Sequence, residues 1–315
     1  MVKVFIDGAA GTTGLEIRER LQGRREIALA VLDEQRRKDP NARRDALNGA
    51  DVVILCLPDD AAREAVDLIT NPAVRVIDPS TAHRVSDGWV FGFPELEKTR
   101  RDELRLATRV TNPGCYSTSF LAVVRPLVRA GIIPADWPLL CNAVSGYSGG
   151  GRSMIAEFED KDAPNYTGAI VRTYALTLEH KHVEEMRVHA GLTHRPLFAP
   201  TVGRFYRGML VEVPLQLWSL PGNPSAETVH AALADAYRGE PLIEVASLRE
   251  SAAKRTLDAE ELKDTNRLKL YVFGNDNQRQ ARVIAVLDNL GKGAAGACVQ
   301  NLNVMMGWPE TAGLV

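Results

Sequence analysis

Val2-Lys3-Val4-Phe5-Ile6-Asp7-Gly8-Ala9-Ala10-Gly11-Thr12-Thr13-Gly14 decides the fold of this chain. An apolar run of strand length passes through a glycine-spaced turn into Thr12 to Leu21, whose apolar spacing is helical. Gly8, Gly11 and Gly14 permit a tight turn and close backbone approach, and the helix start at Thr12 and Thr13 offers N–H groups to a pyrophosphate. The spacing is GxxGxxG rather than GxGxxG, so its weight comes from its place between strand and helix. Outward from it, strand-like runs at 27–32, 52–57 and 74–77 alternate with a polar stretch near 41–47 and a helical pattern over 61–69. This rhythm predicts a parallel, doubly wound α/β sheet that binds a dinucleotide. Asp33, ending the second strand, can accept hydrogen bonds from an adenosine ribose and favours NAD; Arg36, Arg37 and Lys38 can hold a 2′-phosphate and favour NADP.

The pattern changes near residue 114. A helical stretch from Tyr116 to Ala130 ends at Gly131, and longer β-rich runs follow at 208–215, 268–273 and 281–289. Residues 224–237 read as an amphipathic helix after a proline turn, and the Ala-rich tail 293–306 is helical again. The expected second domain is an antiparallel or mixed sheet with helices on one face.

Asn112-Pro113-Gly114-Cys115-Tyr116-Ser117-Thr118 joins the two patterns. Asn-Pro-Gly makes a sharp turn, and a thiol at the helix start beyond it meets the positive end of the helix dipole. That setting increases thiolate, the form that attacks a carbonyl carbon. A lone cysteine is usually a small core hydrophobe, but the polar residues on both sides of Cys115 argue against that role. Glu179-His180-Lys181-His182-Val183-Glu184-Glu185 supplies the acid/base candidates. On a helix His182 would meet Glu185, and His180 would meet Glu184. The cysteines do not complete a zinc spacing with these histidines, so no metal is expected. Two loops suit anions: Val144 to Arg152, through Ser145 and Gly149, and Asp78 to Arg84, which contains Ser80 and follows the fourth strand. Arg204 and Arg207 are further anion candidates.

The 315 residues are 45% hydrophobic and 25% charged, a globular balance, and the net charge of -2 gives no broad reason to expect nucleic acid or an anionic membrane as partner. No apolar run approaches a membrane span, and the start reads straight into a strand rather than a signal peptide. Cys56, Cys141 and Cys298 sit in apolar segments without CxxC spacing, which fits a reducing cytoplasm.

Taken together, Gly8 to Gly14, Asp78 to Arg84, Gly92-Phe93-Pro94-Glu95-Leu96, Asn112 to Thr118, Ser145 to Arg152, and Asp288 to Gly296 resemble the short form of the N-acetyl-γ-glutamyl-phosphate reductases of arginine biosynthesis. The resemblance runs over essentially the whole chain. It implies a Rossmann domain over 1–114, completed by 289–315, and an α+β domain over 115–288 like that of glyceraldehyde-3-phosphate dehydrogenase, which also mediates homo-oligomerisation as a dimer or tetramer. It implies NADP as cofactor and a small acyl phosphate as substrate. Cys115 would be the nucleophile, with His182, His180 and Glu185 around it. Gly8, Gly11, Thr12, Thr13, Gly14, Arg36, Ser80, Gly293 and Ala294 would serve the cofactor, and Asn112, Ser145, Gly149, Arg152 and Arg84 the substrate. This chain has Glu184 where the family commonly has proline. Aspartate-semialdehyde dehydrogenases share the expected fold and cysteine chemistry; the His180-Lys181-His182 spacing and the Gly149 to Arg152 loop separate this chain from them. A regulator that senses NADP without turnover would not need Cys115, and a Cys–His hydrolase would leave the glycine loop without a purpose.

Overall fold

A computed structural model of the chain describes residues 1 to 314 except Glu34, Arg37 and Lys38. Arg37 and Lys38, read above as 2′-phosphate ligands, therefore lie outside the described residues. The chain forms two compact units, Met1–Gly114 with Ala294–Val315, and Cys115–Gly293.

The first unit begins β1(Val2–Asp7), α1(Thr12–Leu21), β2(Ile27–Ala30), α2(Pro40–Asn48), β3(Val52–Leu55), α3(Asp59–Leu68), β4(Arg75–Asp78), β5(Val90–Phe91), α4(Arg100–Leu106) and β6(Arg109–Thr111). Its six strands are all parallel in the order β2-β1-β3-β4-β6-β5. β1 and β3 are buried along most or all of their length, which explains their nearly continuous apolar sequences. The polar stretch near 41–47 is a helix, α2. Asp39 caps it by accepting from the Asn41 amide, and Pro40 occupies its first turn.

The second unit runs α5(Cys115–Arg129), β7(Leu140–Gly146), α6(Gly151–Glu159), β8(Val171–Thr173), α7(Val183–Ala190), β9(Leu197–Gly203), β10(Met209–Gln216), α8(Ala226–Ala236), β11(Ile243–Val245), α9(Leu248–Ala253), β12(Leu268–Asn275) and β13(Gln280–Leu287). These strands form a mixed sheet, β11-β12-β13-β10-β7-β9-β8. One face is covered by α5 and α8, which pack on β10, β13 and β12. α5 is almost wholly buried although it contains Pro126. Proline has no N–H to give the Ala122 carbonyl one turn earlier, and the Tyr237 hydroxyl donates to that carbonyl instead, at 2.8 Å. On the other face, Tyr271, Ile284 and Val286 are sealed by Leu257 and Leu262. The β7–β9–β8 half of that face is half-buried or exposed.

The chain leaves the second unit through a π-helical turn, Gly291–Ala295, and ends in α10(Gly296–Met306). α10 is buried against α1 and α4 in the first unit. The sequence reading began the return at residue 289. In the structure residues 289–293 stay with the second unit, where Asn289 accepts from the Gly208 amide and donates to the Ser148 hydroxyl. No described helix is long and apolar enough to cross a membrane.

Candidate active site

In the first unit the glycine loop is shaped by backbone contacts that no larger residue would allow. Gly8 has φ +84°, and a Cβ there would stand 2.2 Å from the Cys56 carbonyl oxygen. A Cβ on Gly14 would stand 2.5 Å from the Gly8 oxygen. Gly11 is the N-cap residue of α1 and supplies no side-chain cap. The amides at Thr12, Thr13 and Gly14 therefore meet a cradle that fits a pyrophosphate. Asp33 uses one carboxylate oxygen to accept from the Gln35 and Arg36 amides, at 3.1 and 2.8 Å, while the Arg36 side chain is exposed.

Other residues of this unit are placed mainly by bonds to their neighbours. Ser80 donates its amide and hydroxyl to the buried Asp78 carboxylate, both at 2.8 Å, and His83 Nδ1 lies 2.7 Å from the same group. The His83 ring stacks on Trp89 with centroids 4.2 Å apart. Arg84 is buried and donates to the Pro79 carbonyl. Asn112 is buried too: its amide nitrogen donates to the Ala294 carbonyl at 2.9 Å, and its oxygen accepts from Asn301 at 3.0 Å. Asn301 also donates to the Gly92 carbonyl, and Gly92 is tight against it. The bond between Arg43 and Asp7, 2.8 Å long, was missed by the sequence reading. Its only signal was a charged residue closing β1 beside the glycine loop.

In the second unit Cys115 opens α5 and is half-buried. The positive end of the α5 dipole favours its thiolate. Burial acts the other way on Cys56, Cys141 and Cys298, pushing all three thiols upward. Gly293 gives Cys115 its room, since a Cβ there would stand 2.7 Å from the cysteine Cβ.

α7 begins at Val183, so the two histidines precede the helix rather than lying on it. His182 is its N-cap residue, with Nε2 3.9 Å from the carboxylate of Glu185, which is 1% exposed. His180 Nδ1 accepts from the His182 amide at 3.1 Å, which puts the proton of the neutral ring on Nε2. The expected helical pair of His180 with Glu184 does not form. Glu184 accepts from Arg187 and Arg195, and these hydrogen bonds hold its carboxyl below the usual range, that from Arg187 most strongly. The Ser117 hydroxyl donates to the His182 carbonyl at 3.3 Å, tying the first turn of α5 to the histidine segment.

Two tyrosines outside the expected site residues, Tyr116 and Tyr174, complete this cluster. The Tyr116 ring lies 5.8 Å from that of His182 and 5.9 Å from that of His180. Tyr174 donates its hydroxyl to that of Tyr116 at 2.9 Å. Burial is the main cause of the upward shift of both phenols, with Tyr174 pushed up to about 12, and the nearby Cys115 thiolate raises both further. Adjacency of Tyr116 to the nucleophile was the one signal available in sequence; Tyr174 had none.

Ser145 is buried at the end of β7 and hydrogen-bonds with Tyr116. Gly149 lies beside Ser145 and Asn289, where a Cβ would stand 3.4 Å from the polar end of each. Arg152 is exposed in the first turn of α6. Arg204 and Arg207, the further anion candidates, are both engaged by groups of the protein itself. Arg204 donates to the carbonyls of Phe158, Thr167 and Ala169, and buried Arg207 pairs with Asp264 and Asp288. These guanidiniums hold loops in place. The second unit thus gathers Cys115, His180, His182, Glu185, Ser145 and Gly293, an arrangement suited to covalent acyl transfer.

Two family models match the chain: "Semialdehyde dehydrogenase, NAD binding domain" over residues 33–105 and "Semialdehyde dehydrogenase, dimerisation domain" over residues 115–289. N-acetyl-gamma-glutamyl-phosphate reductase 2 of Nostoc sp. is 50% identical over 319 residues, covering 99% of both chains. The N-acetyl-gamma-glutamyl-phosphate reductase of Chelativorans sp. is 52% identical over 308 residues, covering 96% of this chain and 98% of its own. Among solved structures, aspartate semialdehyde dehydrogenase II of Vibrio cholerae superposes with a TM-score of 0.71 at 15% identity, covering 97% of this chain and 98% of that one. At that identity the likeness is one of fold.

Proposed function

The chain belongs to the N-acetyl-γ-glutamyl-phosphate reductase family, and from that premise we infer that it reduces N-acetylglutamyl 5-phosphate to N-acetylglutamate 5-semialdehyde, releasing phosphate, in arginine biosynthesis. The observation that carries this reading is Cys115 at the start of α5, in one unit with the His182–Glu185 pair and given room by Gly293.

Cys115 thiolate attacks the γ-carbonyl carbon, the C–O bond to phosphate breaks, and the acyl group is left as a thioester on Sγ. Amides at the start of α5 favour the attacking thiolate and the oxyanion that forms beside it. A reduced nicotinamide, when bound, supplies the hydride that takes the thioester to the aldehyde oxidation level. His182, supported by the buried Glu185 carboxylate, gives a proton to the developing alkoxide and recovers it as the C–S bond breaks. His180 has its Nδ1 engaged by the His182 amide, which supports a role in orienting that segment. Ser145, Gly149 and Arg152 are proposed to serve the acyl phosphate within this unit; for Arg84 and Asn112 the family resemblance alone supports a substrate role. In that unit Gly8, Gly11, Gly14, Thr12 and Thr13 would hold the pyrophosphate, with Ser80 and Ala294 shaping the loops near the cofactor. Arg36 would hold a 2′-phosphate: its side chain is exposed while Asp33 is turned to its own backbone, which favours NADP.

Four free cysteines and the biosynthetic role favour the cytoplasm. The half-open sheet face of the second unit favours a homo-oligomer.

The test is phosphate-dependent oxidation of N-acetylglutamate semialdehyde, with NADP and NAD compared and aspartate semialdehyde as the rival substrate. Phosphate-dependent turnover with NADP is expected. Preference for aspartate semialdehyde overturns the substrate assignment, and preference for NAD overturns the role given to Arg36.

A further inference from the structure

Tyr116 follows the nucleophile in sequence, and its ring meets both imidazoles and Phe198. His180 is met edge-on or tilted by Tyr116, Tyr174, His182 and Phe198, at centroid distances of 5.9, 5.9, 4.8 and 5.0 Å. Tyr116 itself also meets His182 and, at 5.1 Å, Phe198. A ring in such a cluster can still slide or tilt unless its far end is fixed. Here that end is the phenol, which is buried and bonded to the Tyr174 hydroxyl and to Ser145. Breaking either bond leaves a buried polar group to be satisfied elsewhere, so the ring is held in one position.

We propose that Tyr116 is a positioning residue for this site, its hydroxyl held by Tyr174 and Ser145 so that its ring fixes the His182 and His180 imidazoles relative to Cys115. The proposal rests on the covalent reading of Cys115. Tyr174 comes from the segment after β8, where Ala175 and Leu178 adopt positive φ. That unusual backbone path delivers the Tyr174 hydroxyl to Tyr116 and the His180 ring to its edge within six residues. A loosely held imidazole would support the thiolate less well, so loss of the hydroxyl pair should reduce thiolate at a given pH and slow turnover without abolishing it.

The experiment measures the rate of iodoacetamide reaction at Cys115 against pH, in wild type, Tyr116→Phe, Tyr174→Phe and the double variant, beside kcat and KM for the semialdehyde. Cys115→Ser identifies the Cys115 component. Each phenylalanine keeps its ring and removes one hydroxyl. The expected result is a shift of the alkylation profile to higher pH by about half a unit or more, equivalent to a threefold change in thiolate. A fall in kcat of about tenfold with little change in KM should accompany it. The double variant should be no worse than the more damaged single one, because both changes break the same bond. An unchanged alkylation profile in Tyr116→Phe overturns the proposal. If that variant does not fold, Tyr174→Phe decides by the same criterion. Alkylation needs no substrate, so its failure to shift is distinct from failure of the assigned reaction, which the wild-type assay reads separately.

Discussion

Cys115 and Cys141 differ in surroundings, and those surroundings assign them opposite chemistry. Cys115 lies half-buried at a helix start, whereas Cys141 is sealed in β7 with its thiol pushed up by burial. Replacing Cys115 by serine should cut semialdehyde oxidation by at least about 10³-fold while leaving nucleotide affinity unchanged, as read by NADP titration of intrinsic fluorescence. The turn-to-helix setting made this residue legible in sequence. The acid/base geometry was less so: the histidines were read onto a helix that starts only at Val183, and the Glu184 carboxylate is drawn off by Arg187 and Arg195. Long-range partners of that kind leave no periodic trace. Tyr174 adds a pH prediction. Burial raises its phenol from 10.0 to about 12, so the folded state prefers the protonated form. Its contribution to stability is complete below the ordinary value and is lost as pH rises through the interval from 10.0 to about 12. Urea midpoints followed over that interval should fall, and Tyr174→Phe should fall less steeply; equal slopes would remove Tyr174 as a cause.

At the level of elements, the first unit was legible because buried parallel strands are written as nearly unbroken apolar runs between turns. α2 was not, since its sequence is polar and its start depends on the Asp39 cap and Pro40. In the second unit β8 and β11 have three residues each, too few to carry a pattern. Two elements give sharp expectations. Gly8→Ala drives a Cβ toward the Cys56 carbonyl from a backbone at φ +84°, so the β1–α1 turn must deform. NADP affinity should drop by about tenfold or more, equivalent to about 1.4 kcal/mol, while Cys115 alkylation in the other unit stays as in wild type. In α5, Tyr237→Phe strips the Ala122 carbonyl of its donor next to Pro126. Unfolding in urea should show a loss of about 1–3 kcal/mol, the cost of a buried group left unsatisfied. Adding Pro126→Ala restores a main-chain N–H to the same carbonyl and should recover part of that loss; no recovery would mean that the tyrosine acts through packing alone.

For the molecule as a whole, the second unit's sheet has two faces with different needs. Residues Cys141, Ala143, Phe198, Val202, Met209, Val211 and Val213 point to the helix side and are buried. The register places Leu140, Asn142, Val144, Leu197, Ala199, Thr201, Val171, Thr173 and Leu210 on the opposite side. Every one of these is half-buried or exposed, with Leu197 at 52% and Val171 at 61%. A sheet face carrying this many apolar side chains is rarely left to water. The 254–264 segment seals only the β12–β13 part, through Leu257 and Leu262. A second copy of the same sheet would cover the rest, and two-fold pairing would let one patch serve both partners. The amino-acid order hints at this only as alternating residues on β9, which read equally well as an ordinary half-solvated strand. Charge placed on the face separates the two readings. Leu197→Lys with Val171→Lys would bury like charges on both partners of a two-fold pair but leaves a solvated strand undisturbed. Sedimentation velocity should show wild type as a dimer or larger assembly and the double variant shifted toward monomer at micromolar concentration. A wild-type monomer, or a double variant that sediments as wild type, would place the association surface elsewhere or remove it.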